Sequence, residues 1–538
     1  MGHQSYDWVL FTLLFSAGMN TLAAMKPLTT SVYTFSDLIE SGFLYVDKTT
    51  LIYQLIRENK GQYFLARPRR FGKSLLISTL KAIFQGRKEL FKGLALTKTD
   101  YNWQTYPIIH LDLGATAAQT AEELEDRLLQ EVLYRAQEHN ITLINSTASA
   151  CFLDLVRQLA TRDGKVVILV DEYDKPLLGH LEKPTAPEIQ RILKEFYSVI
   201  KTTEEHQRFV LLTGVSKFSK VSIFSDLNNL TDLTMRRSSA TLLGYTQTEL
   251  EENFPEYIDA LGKALGKDYQ EILNDLREWY NGYRFEETSE TVYNPVSLMK
   301  CFQELKFKNY WFETGTPTFL VNMLRNSPVN LDDLNLPETA FSDYDPTDLN
   351  PLSLLVQTGY LTIKDAAPMG QMTYYRLGYP NREIEQSFSY WIVRGFSALP
   401  DQDLSAALPR LINALNESRL DDMLETLKIF FDKIPYEISI KNEKYYQTIF
   451  FTVFKLIGTA VAVEVSTSIG RIDAVVMTKT DIFIFEFKLS GTAQEALAQI
   501  HERRYTAPYR DDGRPITLIG AAFKDRNLGE WLIEPYRD

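Results

Sequence analysis

Three short stretches of this 538-residue chain carry side chains whose types and spacing suit phosphate chemistry. The first is Arg67-Pro-Arg-Arg-Phe-Gly-Lys-Ser74, which follows the apolar run Tyr63-Phe-Leu-Ala66. A glycine lets backbone amides approach an anion, a lysine reaches the β- and γ-phosphates, and a following hydroxyl serves Mg²⁺ at a helix N-terminus. Gly72, Lys73 and Ser74 fill those roles, with Arg70 beside them, so ATP and Mg²⁺ are the expected ligands. Arg67 stands where the general pattern has its first glycine. The second stretch, Val166-Val-Ile-Leu-Val170, is a continuous apolar run of the kind a strand buried on both faces requires. It ends in Asp171-Glu172, where open α/β sheets bind ligands. Asp171 would hold Mg²⁺ through water and Glu172 would polarise an attacking water. A solvated turn after a core strand is the plainer reading of the two acids. Thr213 closes another apolar run, Phe209-Val-Leu-Leu-Thr213, and is a candidate sensor of the γ-phosphate.

The third stretch lies near the C-terminus. Asp473 to Met477 and Ile482 to Lys488 are β-rich runs joined by Thr478-Lys-Thr-Asp481, which reads as a hairpin. With Lys479 and Thr480 at the turn, Asp473 faces Glu486 across the ladder. Period-two alternation puts Lys488 on the face of Glu486, and Phe483, Phe485, Phe487 and Leu489 on the opposite, core-facing side. Two carboxylates opposed across a ladder repel each other, and a divalent cation between them removes the conflict. Asp473 and Glu486 are therefore candidate Mg²⁺ ligands for phosphodiester hydrolysis, and Lys488 would orient the nucleophile or stabilise developing charge. On periodicity alone, a salt-bridged surface hairpin, Glu486 with Lys488 or Arg471, fits equally well.

These residues need elements to hold them. From Gly61 to Val215, short strand patterns (Tyr63 to Ala66, Ile108 to Leu113, Val166 to Val170, Phe209 to Thr213) alternate with helical stretches. Lys73 to Phe84 and Thr120 to His139 are the clearest of these, so a parallel sheet covered by helices is expected. The expected fold class is α/β: a P-loop NTPase sheet at 25–240, a helical or winged-helix-like lid at 241–330, a mainly helical connector at 331–434, and an α/β domain at 435–538 that the family resemblance of its motifs implies is restriction-endonuclease-like. The last of these closes with a helix from Thr492 to Tyr505. Arg69, Arg70, Arg236 and Arg237 are candidates for completing the nucleotide site, in cis or across a subunit interface in a homo-oligomer. Lys217 and Lys220 are candidates for a basic patch.

Composition bounds the alternatives. The net charge of -13 supplies no global field that draws the chain onto nucleic acid or an anionic membrane, so a nucleic-acid contact must be local. The two cysteines, Cys151 and Cys301, form neither a CxxC pair nor a Cys/His cluster and suggest no zinc site or disulfide framework. Residues 8–24 imitate a signal-peptide core but lack a preceding Lys or Arg and are too short and polar for a membrane span. The first 24 residues therefore read as an extension upstream of Met25, and the chain as cytoplasmic, with no membrane partner.

The N-terminal motifs, taken in order, resemble the AAA-ATPase-like family found beside nuclease domains in many bacterial proteins. They are Tyr45-Val-Asp-Lys-Thr49, Arg67 to Ser74, Val170-Asp-Glu-Tyr-Asp-Lys-Pro176, Thr213-Gly-Val-Ser-Lys-Phe-Ser-Lys220, Asn228-Asn-Leu230, Trp279-Tyr-Asn-Gly-Tyr283 and Tyr293-Asn-Pro295. In that family the Arg-rich loop is usual, and the resemblance implies ATP binding and hydrolysis. Gly470-Arg-Ile-Asp473 and Phe485-Glu-Phe-Lys488, with Gln494 to Gln499, Tyr505 and Ile519 to Phe523, resemble the PD-(D/E)xK nuclease superfamily in its AAA-ATPase-fused branch. That resemblance implies a supporting role for Gln499 and an acid ahead of the hairpin, Glu443 first and Glu464 second. Where the branch often has a histidine, this chain has Gln447. The expected function is a metal-dependent endonuclease acting on DNA or RNA under nucleotide control. The alternatives are a nucleotide-dependent switch or scaffold that binds without cutting, and an ATPase acting on protein partners.

Overall fold

The computed structural model describes residues 25–114, 116, 118–180, 183–217, 229–314, 318–326, 334–341, 350–397, 399–432, 443–458, 460–466, 471–524 and 527–537. The readings placed on residues 1–24, Lys220 and Asn228 lie outside them. The chain forms two compact units. The first runs to Tyr310 and takes in Thr339–Asn350 and Gln357–Lys364; the second holds Trp311–Glu338, Pro351–Val356 and Asp365–Asp538.

The first unit is built on a parallel five-stranded sheet in the order β2-β3-β4-β1-β5. Its strands are β1 (Gly61–Ala66), β2 (Ile108–Asp112), β3 (Val166–Asp171), β4 (Gln207–Gly214) and the short β5 (Thr231–Asp232). Every residue of β3 and β4 is buried, the consequence of helices on a parallel sheet. The connecting helices are α1 (Lys73–Phe84), α2 (Ala121–Glu138), α3 (Ala148–Asp163) and α4 (Ala186–Thr202). Thr120 and Thr147 cap α2 and α3 by accepting from Glu123 and Ala150 N–H groups. The helical run that follows, α5 (Gln247–Asn253), α6 (Pro255–Leu265), α7 (Tyr269–Tyr280) and α8 (Pro295–Glu304), packs its own core around Leu250, Phe254, Ile258, Leu276 and Phe302.

Several of the ordered motifs act here as fasteners. Asn294 accepts from Val296 and Ser297 N–H groups with Pro295 at the first helical turn of α8. Lys48 Nζ donates to Glu249 Oε2 (2.6 Å) and to Thr241 O (2.8 Å), tying the early chain to α5.

The second unit contains α9 (Thr318–Asn326), α10 (Arg382–Ser397), α11 (Asp401–Asn416), α12 (Leu420–Asp432) and α13 (Glu443–Leu456). The stretch read as a mainly helical connector also contributes β6 (Asn335–Pro337), β7 (Thr362–Met369), whose start through Lys364 belongs to the first unit, and β8 (Met372–Gly378), a three-stranded sheet in the order β6-β8-β7. The expectation missed this hairpin because Gly370-Gln371 is a weak turn signal between runs of mixed polarity. The C-terminal sheet runs β13-β12-β11-β10-β9, with β9 (Ala460–Ser466), β10 (Arg471–Met477), β11 (Ile482–Lys488), β12 (Ile516–Lys524) and β13 (Asn527–Pro535). Only the β11–β12 pair is parallel, and α14 (Ala493–Glu502) makes that crossover.

Candidate functional site

The loop between β1 and α1 reverses with positive φ at Arg70 (66°) and Gly72 (89°), and Gly72 is the left-handed cap of α1. A Cβ at Gly72 would meet no atom within 4 Å, so the helix N-terminus faces open space, where its dipole favours an anion. Lys73 is buried, and its Nζ donates to the carbonyls of Arg67 and Pro68, each at 3.0 Å. Burial pulls its pKa below the ordinary 10.5, opposed chiefly by the Asp171 charge.

Asp171 is 4% exposed and receives three donors: Ser74 Oγ (2.6 Å), Thr213 Oγ1 (2.6 Å) and the Glu172 N–H (3.0 Å). Thr213, the candidate γ-phosphate sensor, is fully buried, and its hydroxyl is directed at Asp171 Oδ1, so here it orients Asp171. Glu172 takes a positive φ of 53° and lies 3.7 Å from Lys175 Nζ. Ser74, Asp171 and Glu172 line a cleft of about 690 Å³ with Lys81, His110 and Asp112. His110 and Asp112 were missed in the sequence. The signal was the strand-end rule already applied to β3, because Asp112 is in register with Asp171 on the neighbouring strand. Burial lowers the pKa of His110, which keeps the ring neutral near pH 7.

Two cations near the loop point inward. Arg67 is 1% exposed; it donates to the carbonyls of Ala66, Thr234 and Ser239 and lies over the Phe285 ring at 4.0 Å. Burial pulls its pKa down, yet a guanidinium stays charged at neutral pH. Lys217 is buried and pairs with Asp232 Oδ2 at 3.0 Å, so the basic patch expected of it is not formed. Its charge neutralises an edge-strand acid. Arg69, Arg236 and Arg237 are exposed.

In the second unit the expected hairpin register is present: Ala474 pairs with Phe485, Val475 with Ile484 and Met477 with Ile482, and the turn closes with Thr478 N–H to Asp481 O. Asp473 and Glu486 stand next along the two strands. Asp473 Oδ2 accepts the Phe487 N–H at 2.7 Å. Lys488 Nζ donates to Glu486 Oε1 (3.2 Å) and to Gln499 Oε1 (2.5 Å), while Gln499 Nε2 donates to Glu486 and, at 3.3 Å, to the Tyr505 hydroxyl. Burial, and then the Glu486 and Asp473 charges, raise the pKa of Tyr505.

The reading of one core-facing side is corrected here, because both faces of β11 are covered. Phe485 and Phe487 pack on Phe450 of α13. On the Glu486 face, Ile482 and Ile484 share a core with Leu497 and Ile500 of α14. Asp473 and Glu486 are accordingly 9% and 2% exposed, which disfavours the surface-hairpin alternative. Glu443 opens α13 and Glu464 lies in β9; their side chains, and that of Gln447, lie outside the described residues.

The fold and the two sites define a class: a P-loop α/β unit followed in the same chain by a mixed-sheet unit with two buried carboxylates beside a lysine. A family model described as "Predicted AAA-ATPase" matches residues 29–224, and one described as "PD-(D/E)XK nuclease superfamily" matches residues 441–531. The chain is 36% identical over 525 residues to the "Uncharacterized protein in vnfD 5'region" of Azotobacter chroococcum mcd 1, covering 95% of this chain and 99% of that one. It belongs to that protein's family, with a predicted AAA-ATPase domain and a PD-(D/E)XK nuclease superfamily domain in one chain. Among solved structures, it is similar to the Aeropyrum pernix ORC1 protein in complex with DNA (12% identity, TM-score 0.24, 66% of this chain and 91% of that one). It is also similar to the Aeropyrum pernix ORC2 protein (11% identity, TM-score 0.28, 68% and 93%). Likenesses at that level carry no argument. Among the described residues no helix is long and apolar enough to cross a membrane.

Proposed function

We propose that this protein binds and hydrolyses ATP in its first unit and cuts DNA or RNA with its second, the nucleotide state governing the cut. The observation that carries the nuclease half is the pair of buried carboxylates Asp473 and Glu486 with half-buried Lys488 and Gln499: Glu486, Lys488 and Gln499 are joined by hydrogen bonds between β11 and α14, and Asp473 is held on the Phe487 N–H of the adjacent strand. Two nearly inaccessible carboxylates set against the single ammonium of Lys488 leave a negative charge that is costly to bury. Their hard oxygen donors suit Mg²⁺, as do those of Ser74 and Asp171.

When bound, Mg²⁺ supplies neutralisation of phosphate charge and a lowered pKa for coordinated water. Asp473 and Glu486 would hold it in the second unit. Gln499 fixes both Glu486 and Lys488, so the lysine is poised beside the carboxylates to stabilise charge developing on a phosphodiester. In the first unit, Ser74 and Asp171 would hold the ion. Thr213 keeps Asp171 oriented, Lys73 exchanges its two loop carbonyls for phosphate oxygens, and Glu172 accepts the proton of the attacking water.

The test is direct. Full-length protein is incubated with linear, circular and single-stranded DNA and with RNA, with Mg²⁺ or Mn²⁺, with and without ATP. Metal-dependent cutting that Lys488→Ala reduces by about a hundredfold or more supports the reading. ATP turnover without cutting on any of these substrates shifts it to a nucleotide-dependent switch that binds without cutting. The net charge of -13 and the burial of Lys217 favour that second reading.

A further inference from the structure

The phosphate loop is held from behind by a segment far along the chain. Gly359 takes φ +87°, and a Cβ there would come within 2.7 Å of Pro68 Cβ and 3.4 Å of Tyr283 Cε1, so the backbone of 359 lies directly against the loop. Two residues before it, buried Gln357 accepts the Lys217 N–H at 2.5 Å. Lys217 follows β4, whose Thr213 orients Asp171. One residue beyond Gly359, Tyr360 is buried within reach of the Arg69 charge. Buried Thr362 accepts the Arg284 N–H at 2.8 Å, and Arg284 Nη1 reaches Lys364 O at 2.9 Å. The same Tyr283 ring packs edge-on against Phe71 of the phosphate loop at 4.8 Å. One stretch of six residues thus touches both ends of the nucleotide site, the loop that carries Lys73 and the turn after the strand that orients Asp171.

We propose that residues 357–362 are a positioning element of the nucleotide site, docked on Pro68 and Lys217 so that nucleotide binding and the order of this segment are coupled. Gln357, Gly359 and Tyr360 act through the loop and through Lys217. The inference rests on nucleotide binding in the first unit and is independent of the nuclease reading. Beyond Lys364 the chain continues into the second unit, so a segment whose order follows the nucleotide carries that state forward along the backbone.

The experiment is amide hydrogen exchange on the full chain, with and without a non-hydrolysable ATP analogue and Mg²⁺, followed from seconds to hours. The expected result is slower exchange in peptides covering both 67–74 and 357–362, lost at both places in Lys73→Ala. Slowing at 67–74 with 357–362 unchanged overturns the coupling while leaving nucleotide binding intact. No slowing at either place overturns the nucleotide reading and this inference with it. As a second measurement, Gly359→Ala is expected to weaken binding of a fluorescent ATP analogue at least about tenfold, because small displacements of a binding loop are amplified in affinity. The apo Tm is measured alongside. Unchanged affinity in a folded Gly359→Ala protein also overturns it.

Discussion

The chemistry at each site depends on single side chains whose charge is set by burial. Lys73 is held over the carbonyls of Arg67 and Pro68 in a setting that penalises its ammonium. With the folded pKa lowered, the apo protein releases the proton at a lower pH than free lysine does, and nucleotide phosphates favour taking it back. ATP affinity is therefore expected to fall as pH rises through the depressed Lys73 value, below 10.5. Proton uptake should accompany binding in that window. Calorimetry in buffers of different ionisation enthalpy checks both, and an affinity flat through the ordinary lysine value of 10.5 would contradict the assignment. Arg67 and Lys217 teach a related point. Arg67 stands in place of the loop's first glycine and Lys217 was a candidate for a basic patch, and both are spent inside the unit on carbonyls or on Asp232.

At the scale of elements, α14 decides whether the carboxylate cluster is assembled. It starts with a capping box in which Thr492 accepts from the Glu495 N–H and Glu495 returns the bond. It buries Ala496, Leu497 and Ile500, and so delivers Gln499 to Glu486 and Lys488. Thr492→Ala should cost about 1 kcal/mol of stability and, by fraying the turn that leads to Gln499, reduce cutting more than Tm alone would suggest. Denaturant melts run beside cleavage assays measure both, and stability lost with cutting unchanged would show that the helix end does not control the cluster. The hairpin register was readable because a two-residue turn leaves one pairing. That both its faces are buried had a signal too, in the unbroken apolar run Ile482-Phe-Ile-Phe485, although alternation around Glu486 suggested a single core side.

For the whole molecule, two compact units with separate sites predict two separable responses. A non-hydrolysable ATP analogue at about a hundred times its Kd stabilises the state that binds it by roughly 2.7 kcal/mol. In scanning calorimetry of the full chain, the transition of the first unit should move upward with nucleotide, and that of the second should follow Mn²⁺ or Mg²⁺ in the wild type but not in Asp473→Asn. A single transition moved equally by both ligands would show the units to be one cooperative block.

By itself the sequence determined what depends on neighbours a few residues away: the strand, loop and helix around Lys73, the run ending at Asp171, and the pairing that sets Asp473 across from Glu486. Periodicity and turn length fix such features because each backbone step has few allowed conformations. Only the tertiary structure decided which polar side chains turn inward and what meets them. Thr213 is committed to Asp171, Lys217 to Asp232 on a two-residue edge strand, and Gly359 to a proline nearly three hundred positions earlier. Those choices depend on burial partners from distant parts of the chain, and local spacing carries no record of them.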